Sequence, residues 1–456
     1  MPGLFDSLTN ASRNLDAHRL GIDVAGQNLA NVNTVGYTRR TITLGELPPT
    51  DVLSAGRGVE VVAIASQRDQ FIEARLRREQ TALAFDNAVV DGLSVIEAAV
   101  GTAGTSLDRS LTEFFAAYSF LANDVTSISA REALLQQGRS LAVGFNDMAE
   151  RLTAVASDAD QQIRNAVSEV NQLAARVAAL NGQIVFNGVD VESMRDQRDV
   201  ALARLSELAD ISVLTRADGA VDVTFAAGRP LVVGPDAYTV HAVSTGPSGN
   251  AQLILGDFDI TADIGGGLIG GYLTVRDDLL PSYRARVDAL AYDVATAVNG
   301  IHTTGFDAQG NDAGDFFLAP ASVVGAAAAF AIDPAVDADS RLIAGSSTGT
   351  AGDNGIAKAI ANLRDAAIAD GGTATPTTAW GQFVYSLGSD IAAARSSGDG
   401  RAQVVRQMQR LRDQASGVSV DEEAANLIRF QRAYEANARY FTVISDTLET
   451  LLNMVR

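Results

Sequence analysis

The sequence predicts a mainly α-helical protein with a small inserted β domain. This α+β chain is laid out as an elongated multi-domain rod whose N- and C-terminal helices pair as a coiled coil. Three observations lead there. Narrow apolar seams mark both ends of the chain, a longer seam fills its middle, and near Asp210 the periodicity changes from helical to two.

At the N-terminus Leu4, Leu8, Ala11, Leu15, Ile22, Ala25 and Leu29 recur at alternating spacings of four and three, with His18 the one polar member. A 3.5-residue repeat draws one thin stripe along a helix, as a coiled-coil seam does. The stripe is roughly 39 Å long at about 1.5 Å per residue, and so narrow a face gains little until a partner covers it. The other end of the chain offers one. Leu427, Phe430, Tyr434, Ala438, Phe441, Leu448, Leu451 and Val455 form a similar seam, and Ser419-Val420-Asp421-Glu422 ahead of it reads as a capping box.

Between these ends the elements follow in order. The first helix is expected to stop near Asn31-Val32-Asn33-Thr34-Val35-Gly36, where short polar side chains compete for backbone hydrogen bonds and Asn and Gly accept left-handed backbone. An extended stretch follows through Thr41, Thr43 and Pro48-Pro49, with a strand at Gly58–Val62. Helices are expected from Asp69 to Val100 and from Leu107 to Ala122, parted by a Gly/Ser/Thr break at Gly101–Ser106. From Leu134 to Ile184 the seam alternates fours and threes, except at Ala159, where two fours meet in a stutter. It reads as one long packing helix.

After Asp210, short strand-like runs appear at Ile211–Thr215, Val221–Phe225, Leu231–Val233, Tyr238–Val243 and Leu253–Leu255. Turn signals separate them: Asp218-Gly219, Gly228-Arg229-Pro230, Gly234-Pro235-Asp236 and Gly246–Asn250. Helix resumes after Gly271, with Leu280, Tyr283, Val287, Leu290, Val294 and Ala297 at seam spacing. Residues 305–355 are rich in Gly, Ala and Asp and read as a loop or small β element. Helical segments at Ile356–Ala369 and Trp380–Met408 precede the capped terminal helix.

Helices, strands, then helices with matching ends predict a hairpin of domains. Residues 1–60 plus 416–456 form a terminal coiled-coil core domain. Residues 61–210, 263–304 and 356–415 form a long-helix bundle domain. Residues 211–262 form a small β domain at the tip, and 305–355 stand as the separate loop or β element.

Composition narrows the function. The chain has 456 residues, 47% of them hydrophobic, enough for several cores. It has no cysteine, which excludes disulfides, thiolate zinc sites and cysteine nucleophiles. With 35 basic against 55 acidic residues the net charge is −20, which argues against nucleic acid as a partner, since phosphate neutralisation needs clustered positive charge. The one basic knot, Arg75, Arg77 and Arg78, lies between Glu73 and Glu79 and reads as a solvated helix face. No apolar run approaches the ~18 residues of a membrane span, so no membrane insertion is expected. The start Met1-Pro2-Gly3-Leu4 lacks the basic and apolar segments of a cleaved signal peptide.

No chemical motif survives comparison with its plainer reading. Gly265–Gly270 matches G-x-G-x-x-G in form, but no βαβ repeat surrounds it, and a glycine-rich re-entry loop fits better. Asp307–Asp315 has the composition of a calcium loop without its ordered acids, and the twelfth position is Leu318 rather than glutamate; an Asx-rich turn is expected. His18, His241 and His302 fall in three different elements, and no Gly-x-Ser-x-Gly or Gly-Lys-Ser/Thr sequence is present. The acid pairs Asp277-Asp278 and Glu422-Glu423 sit at helix starts or faces, where they favour the dipole rather than acid–base work. No catalytic, cofactor-binding or metal-binding residue is predicted, and the chain is not expected to be an enzyme.

The stretch Asn28-Leu29-Ala30-Asn31-Val32-Asn33-Thr34-Val35-Gly36-Tyr37 resembles the N-terminal signature of bacterial flagellar rod, hook and hook-associated proteins, with Ala30, Asn31, Thr34, Gly36 and Tyr37 as the matching positions. Ser416–Leu427 and Gln431–Ala438 resemble the C-terminal helix of the hook-associated members that form the hook–filament junction, and Gly266–Leu273 followed by Arg276 resembles their internal motif. The resemblance implies a structural component of the flagellum: a junction ring of like subunits between hook and filament, on which the filament assembles. It implies partners in the hook protein, a second junction or filament-side protein and an export chaperone. It also implies an extracellular location reached without a cleaved signal peptide. Longer relatives carry an outer β domain for which 305–355 is too short.

Within that reading, the turn from Asn31 to Tyr37 sets the angle between core helix and next domain, and Tyr37 with Arg39-Arg40 is expected to reach neighbouring subunits. The alternatives are a hook or distal-rod protein, or, in a different class, a secreted adhesin or wall-acting enzyme borne on an axial-protein scaffold. The start Asp421-Glu422-Glu423 and the Leu134–Ile184 helix argue against the first, and the second would need a catalytic constellation in 211–355.

Overall fold

The computed structural model describes residues 2–48, 57–101, 107–186, 190–244 and 249–454. Pro49, most of the break at Gly101–Ser106, part of the Gly246–Asn250 turn and the seam residue Val455 lie outside the described residues.

Helix α1 (Pro2–Ala30) ends as the polar run begins, and β1 (Arg40–Glu46) and β2 (Val59–Ser66) form an antiparallel hairpin behind it. Helix α2 (Gln70–Val100) starts from Asp69, whose carboxylate accepts the N–H groups of Phe71 and Ile72. After α3 (Leu107–Leu121) comes α4 (Ile128–Phe186), 59 residues and about 88 Å long. Of its predicted seam, Leu173 alone is not fully buried. Around the stutter Ala156 and Asp160 are buried as well, so the contact face broadens where the supercoil relaxes.

Helix α5 (Val191–Leu208) folds back along α4. A four-stranded antiparallel sheet follows, with β3 (Ile211–Thr215), β4 (Val221–Phe225), β5 (Arg229–Val233) and β6 (Asp236–Ala237) in sequence order. A three-stranded one comes next, of β7 (Val240–Ser244), β8 (Ala251–Leu255) and β9 (Phe258–Asp259). Val223, Phe225, Leu231 and Leu253 share one core with Ile163, Val170 and Val177 of α4 and with Leu202 and Leu205 of α5. Two amides of α4 dock the sheets. Asn181 donates to the Val221 and Gly234 carbonyls, and Asn171 both donates to the Val240 carbonyl and accepts its N–H.

The glycine-rich stretch is helix rather than re-entry loop. Helix α6 (Gly267–Leu273) crosses α2 so closely that a Cβ at Gly271 would lie 2.6 Å from the Phe85 carbonyl oxygen and 2.7 Å from Ala88. The glycines are there for close helix packing. A π-helical turn, Thr274–Leu279, leads into α7 (Leu280–His302), and its buried Arg276 donates to Asp160 beside the α4 stutter at 2.6 Å.

Residues 305–355, read as a loop or small β element, are largely irregular backbone, and with their flanks to 375 they pack into the main core. They hold two short helices, α8 (Pro334–Ala338) and α9 (Gly355–Asn362), and isolated bridges. Their Phe316, Phe317 and Ile343 are completely buried in the main core against Phe114, Tyr118 and Phe145. Helix α10 (Pro376–Ser416) starts earlier and ends later than its pattern suggested, because Thr375 caps it and Pro376 occupies its first turn. It runs antiparallel to α2, tied by Arg401 to Asp86 at 2.7 Å. Helix α11 (Val420–Met454) completes the chain and pairs with α1.

The β sheets flank the half of α4 that leads into α5, whose first residues lie beside Arg40. The opposite end, away from the termini, is closed by α3 and residues 303–375. The expected β tip is therefore displaced. An α4 longer than any other helix spans both cores, and the β insertion covers its terminus-proximal half.

Candidate assembly site where the chain ends meet

Helices α1 and α11 lie antiparallel. Asn14 reaches Asn437, Gly21 faces Phe430 and Asn28 reaches Glu423, seven residues up one helix for each seven down the other. The contact is close: a Cβ at Gly21 would lie 2.7 Å from the Phe430 ring. The buried residues of α1 are small or polar, namely Ala11, Ala17, Gly21, Val24, Ala25 and Asn28. Of the predicted seam, Leu4, Leu8, Leu15 and Ile22 are half-buried and Leu29 is exposed. Across from them Phe430 and Leu448 are buried, Leu427, Phe441 and Leu451 half-buried, and Tyr434 exposed. The bulky residues thus run along the margin of the pair. Ile428, Tyr440, Val443 and Leu452 point outward from α11.

The polar turn after α1 is built as its residue types dictate. The Asn31 amide donates to the Gln27 carbonyl, and its Oδ1 accepts the Thr34 hydroxyl at 3.1 Å. The Thr34 N–H returns to the Asn31 carbonyl, and the Tyr37 N–H to that of Thr34. Ala30 is the exposed last residue of the helix. Gly36 adopts φ +81°, and a Cβ there would meet Val200 of α5 at 2.3 Å. That position accepts only glycine, both for its backbone and for its neighbour.

Beneath the turn lies a polar knot. Asn28, completely buried, accepts the Tyr37 hydroxyl at 2.8 Å and the Arg40 N–H at 3.0 Å. Its amide donates to the Arg40 carbonyl at 2.9 Å and to Glu423 at 3.0 Å. All four of its hydrogen-bonding valences are used. Glu423, almost fully buried, accepts Arg39 Nε and Nη2, each at 2.8 Å, while Arg39 Nη1 pairs with Glu422. The Arg39 N–H donates to the Ser416 carbonyl, which ties the end of α10 into the same knot. Burial pushes the Tyr37 hydroxyl above its ordinary pKa. Tyr37, Arg39 and Arg40 therefore serve the chain itself rather than reaching outward, since Arg40 stacks on Tyr37 and turns toward Asp190 and Asp196 of α5.

Sequence reasoning passed over Asn28 and Glu423 as site residues. Glu423 was read as a favourable charge for the helix dipole, yet it is an ion-pair partner. The capping box is half formed: the Ser419 hydroxyl accepts the Glu422 N–H, but the Glu422 carboxylate goes to Arg39. A signal existed in Asn28 itself, a polar residue seven positions beyond Gly21 on a face otherwise made of alanine, glycine and valine.

Elsewhere the expected motifs resolve into structure. Asp307 accepts the N–H groups of Gln309 and Asn311 in an Asx turn. The histidines stay apart, His18 against Phe430, His241 exposed on β7, and His302 buried beside Phe316. Among the described residues no helix is long and apolar enough to cross a membrane.

Paired terminal helices, a signature turn and a long helical body with a β insertion define the class of the flagellar axial proteins. Residues 93–317 match the family described as the flagellar hook-associated protein FlgK helical domain, and residues 412–454 match the flagellar basal body rod FlgEFG protein C-terminal family. Flagellar hook-associated protein 1 of Bacillus subtilis is 28% identical over 99% of both chains, and that of Escherichia coli is 26% identical over 98% of this chain and 99% of its own. The structure of the flagellar hook junction protein FlgK from Burkholderia pseudomallei shares the fold with a TM-score of 0.68 and 16% identity, over 74% of this chain and 99% of that one. The family matches and the relatives together support a likeness to the flagellar hook-associated protein 1 family.

Proposed function

We propose that this chain is a structural component of the hook–filament junction of the bacterial flagellum and has no catalytic role. The observation that carries this reading is the antiparallel α1–α11 pair. A polar knot holds it within one chain, while Leu8, Leu15 and Ile22 stay half-covered along its edge and Leu29, Ile428, Tyr440, Val443 and Leu452 are exposed. A two-helix pair with apolar flanks satisfies itself only partly, and copies packed around a common axis cover the remainder. We also propose a division into a terminal coil of 1–60 and 416–456, a helical body, and the β unit of 211–262 along it. The α1–α11 contact and the core that the strands share with α4 and α5 support that reading.

Self-association into a ring, contact with the hook protein on one side and with a second junction or filament-side protein on the other, and an export chaperone on the C-terminal region complete the proposal. So does export without a cleaved signal peptide. The adhesin and wall-enzyme readings are disfavoured because the relatives align over nearly the whole chain, β unit included.

Deleting the gene and imaging the cells tests the function. Hooks without filaments, with flagellin lost to the medium, are expected. Intact filaments would refute the junction role.

A further inference from the structure

The basic knot Arg75, Arg77 and Arg78 takes no part in the terminal coil. It lies in the first turns of α2, where Arg77 and Arg78 border a groove of about 890 Å³ between α2, α5 and β3. Three of the groove's carboxylates are already engaged, Glu192 by Arg195, Asp199 by Arg68 and Asp218 by Arg216. Arg198 is spent on Asn181 and the Gly219 carbonyl. Arg77 acts on both Glu73 and Asp199, and Arg412 faces Glu73 as well, yet the groove lining holds six arginines against four carboxylates, a local cationic surplus in a chain of net charge −20. Two apolar side chains stand at the groove, Phe71 at 89% exposure and Leu214 at 69%. An exposed aromatic in a groove rich in arginine has the composition of an interface centre rather than of ordinary surface.

The complementary feature is on the β unit. The turn Gly256-Asp257 and the strand β9 that follows it, Phe258-Asp259, are exposed, with an aromatic between two acids. Arg229 stacks on one side of the Phe258 ring at 4.4 Å and Asp259 accepts Thr261, so Asp257 is the acid at the tip. Groove and turn hang on one stretch of α4. Asn181 holds Val221 at the groove, and Asn171 holds Val240, whose cross-strand partner Leu255 is the foot of the turn. Ten residues of α4, about 15 Å, separate these anchors. A second copy displaced along the α4 axis by about that distance brings its turn level with the groove.

We propose that the groove is a lateral contact that receives the acidic, aromatic β8–β9 turn of a second copy of this chain. The inference rests on the junction reading above. Groove-to-turn contact is heterologous, the kind that generates rings when the rotation closes. Opposite local charge gives chains that otherwise repel one another a single favoured approach.

The test complements a deletion strain with the wild-type chain, R78E, D257R or the double variant R78E/D257R, and counts hooks that carry filaments. Circular dichroism of each purified chain monitors folding, and R78Q serves in place of R78E if the reversal unfolds. Failure of the wild-type chain to restore filaments would refute the junction reading itself. With wild-type complementation in place, each single reversal is expected to reduce filament-bearing hooks by about tenfold. The double variant, which restores opposite charges across every contact, is expected to recover most of them. Undiminished filaments in both single variants would overturn the contact, and so would absence of recovery in a folded double variant.

Discussion

A buried asparagine destabilises a helix pair unless its donors and acceptors all find partners, and Asn28 finds them in three separate segments of the chain. Replacing it with leucine leaves Glu423 and the Tyr37 hydroxyl each short of a partner. Asn28→Leu is expected to cost about 2–4 kcal/mol, read as a lower denaturation midpoint for the terminal helices and faster proteolysis at both ends. Asn28→Asp is expected to be worse, because it sets a second carboxylate against Glu423. His302 makes the other residue-scale prediction. Completely buried, it donates from Nδ1 to the Gly314 carbonyl and accepts the Ala344 N–H at Nε2, which fixes the neutral ring. Burial holds its pKa down at about 4. A folded value below the unfolded one means that the unfolded chain binds the proton more readily. The stability His302 contributes is complete above about pH 6.5 and is lost as pH falls toward 4, about 3 kcal/mol in all. His302→Gln is expected to flatten the stability profile of the helical body across that window, and an unchanged profile would remove the assignment. The polar residues that matter were visible in the sequence. Their partners were not, because a hydrogen bond across a separation of 395 residues leaves no local pattern.

Long elements were legible where one physical cause dominated. The α4 seam was buried almost position by position, because a sustained repeat records a helix packed along its whole length. Phe145→Ala in that seam is expected to cost about 3–5 kcal/mol by thermal or chemical denaturation of the body. The strands of the β unit were legible from their alternation and turns. In α1 the bulky residues identified the right helix and the wrong edge, because Phe430 needs a glycine opposite it and the true contact is written in small residues, a weaker signal than leucine. The glycine-rich stretch misled in the same way: glycines that permit the α6–α2 crossing look like a loop. At the signature turn, Gly36→Val combines a left-handed backbone with a collision against Val200. It is expected to abolish motility while circular dichroism shows the helical body still folded. Wild-type swimming would show that the turn does not set the angle of the terminal coil.

At the scale of the molecule, the sequence order of helices, strands and helices predicted matching ends and an inserted β unit at the tip, whereas the unit lies along the half of α4 that leads into α5. Its place depends on the apolar faces of α4 and α5, which a strand pattern cannot locate. Residues 305–355 read as a loop or small β element because their buried aromatics are spaced without period, yet Phe316 and Phe317 fill the centre of the main core. Alignments with the relatives extend over 505 and 548 positions against 456 residues here, so those relatives carry segments that this chain does without. What is common to the architecture is the antiparallel pairing of the two ends within one chain, and the absence of native cysteine makes that pairing directly measurable. Asn14 and Asn437 touch across the α1–α11 contact. A chain carrying N14C and N437C, assembled into flagella and oxidised there, is expected to form a disulfide within each chain, leaving a species of monomer mass whose proteolytic halves part only on reduction. A ladder of disulfide-linked oligomers, or free thiols at both positions, would contradict the pairing on which the assembly domain depends.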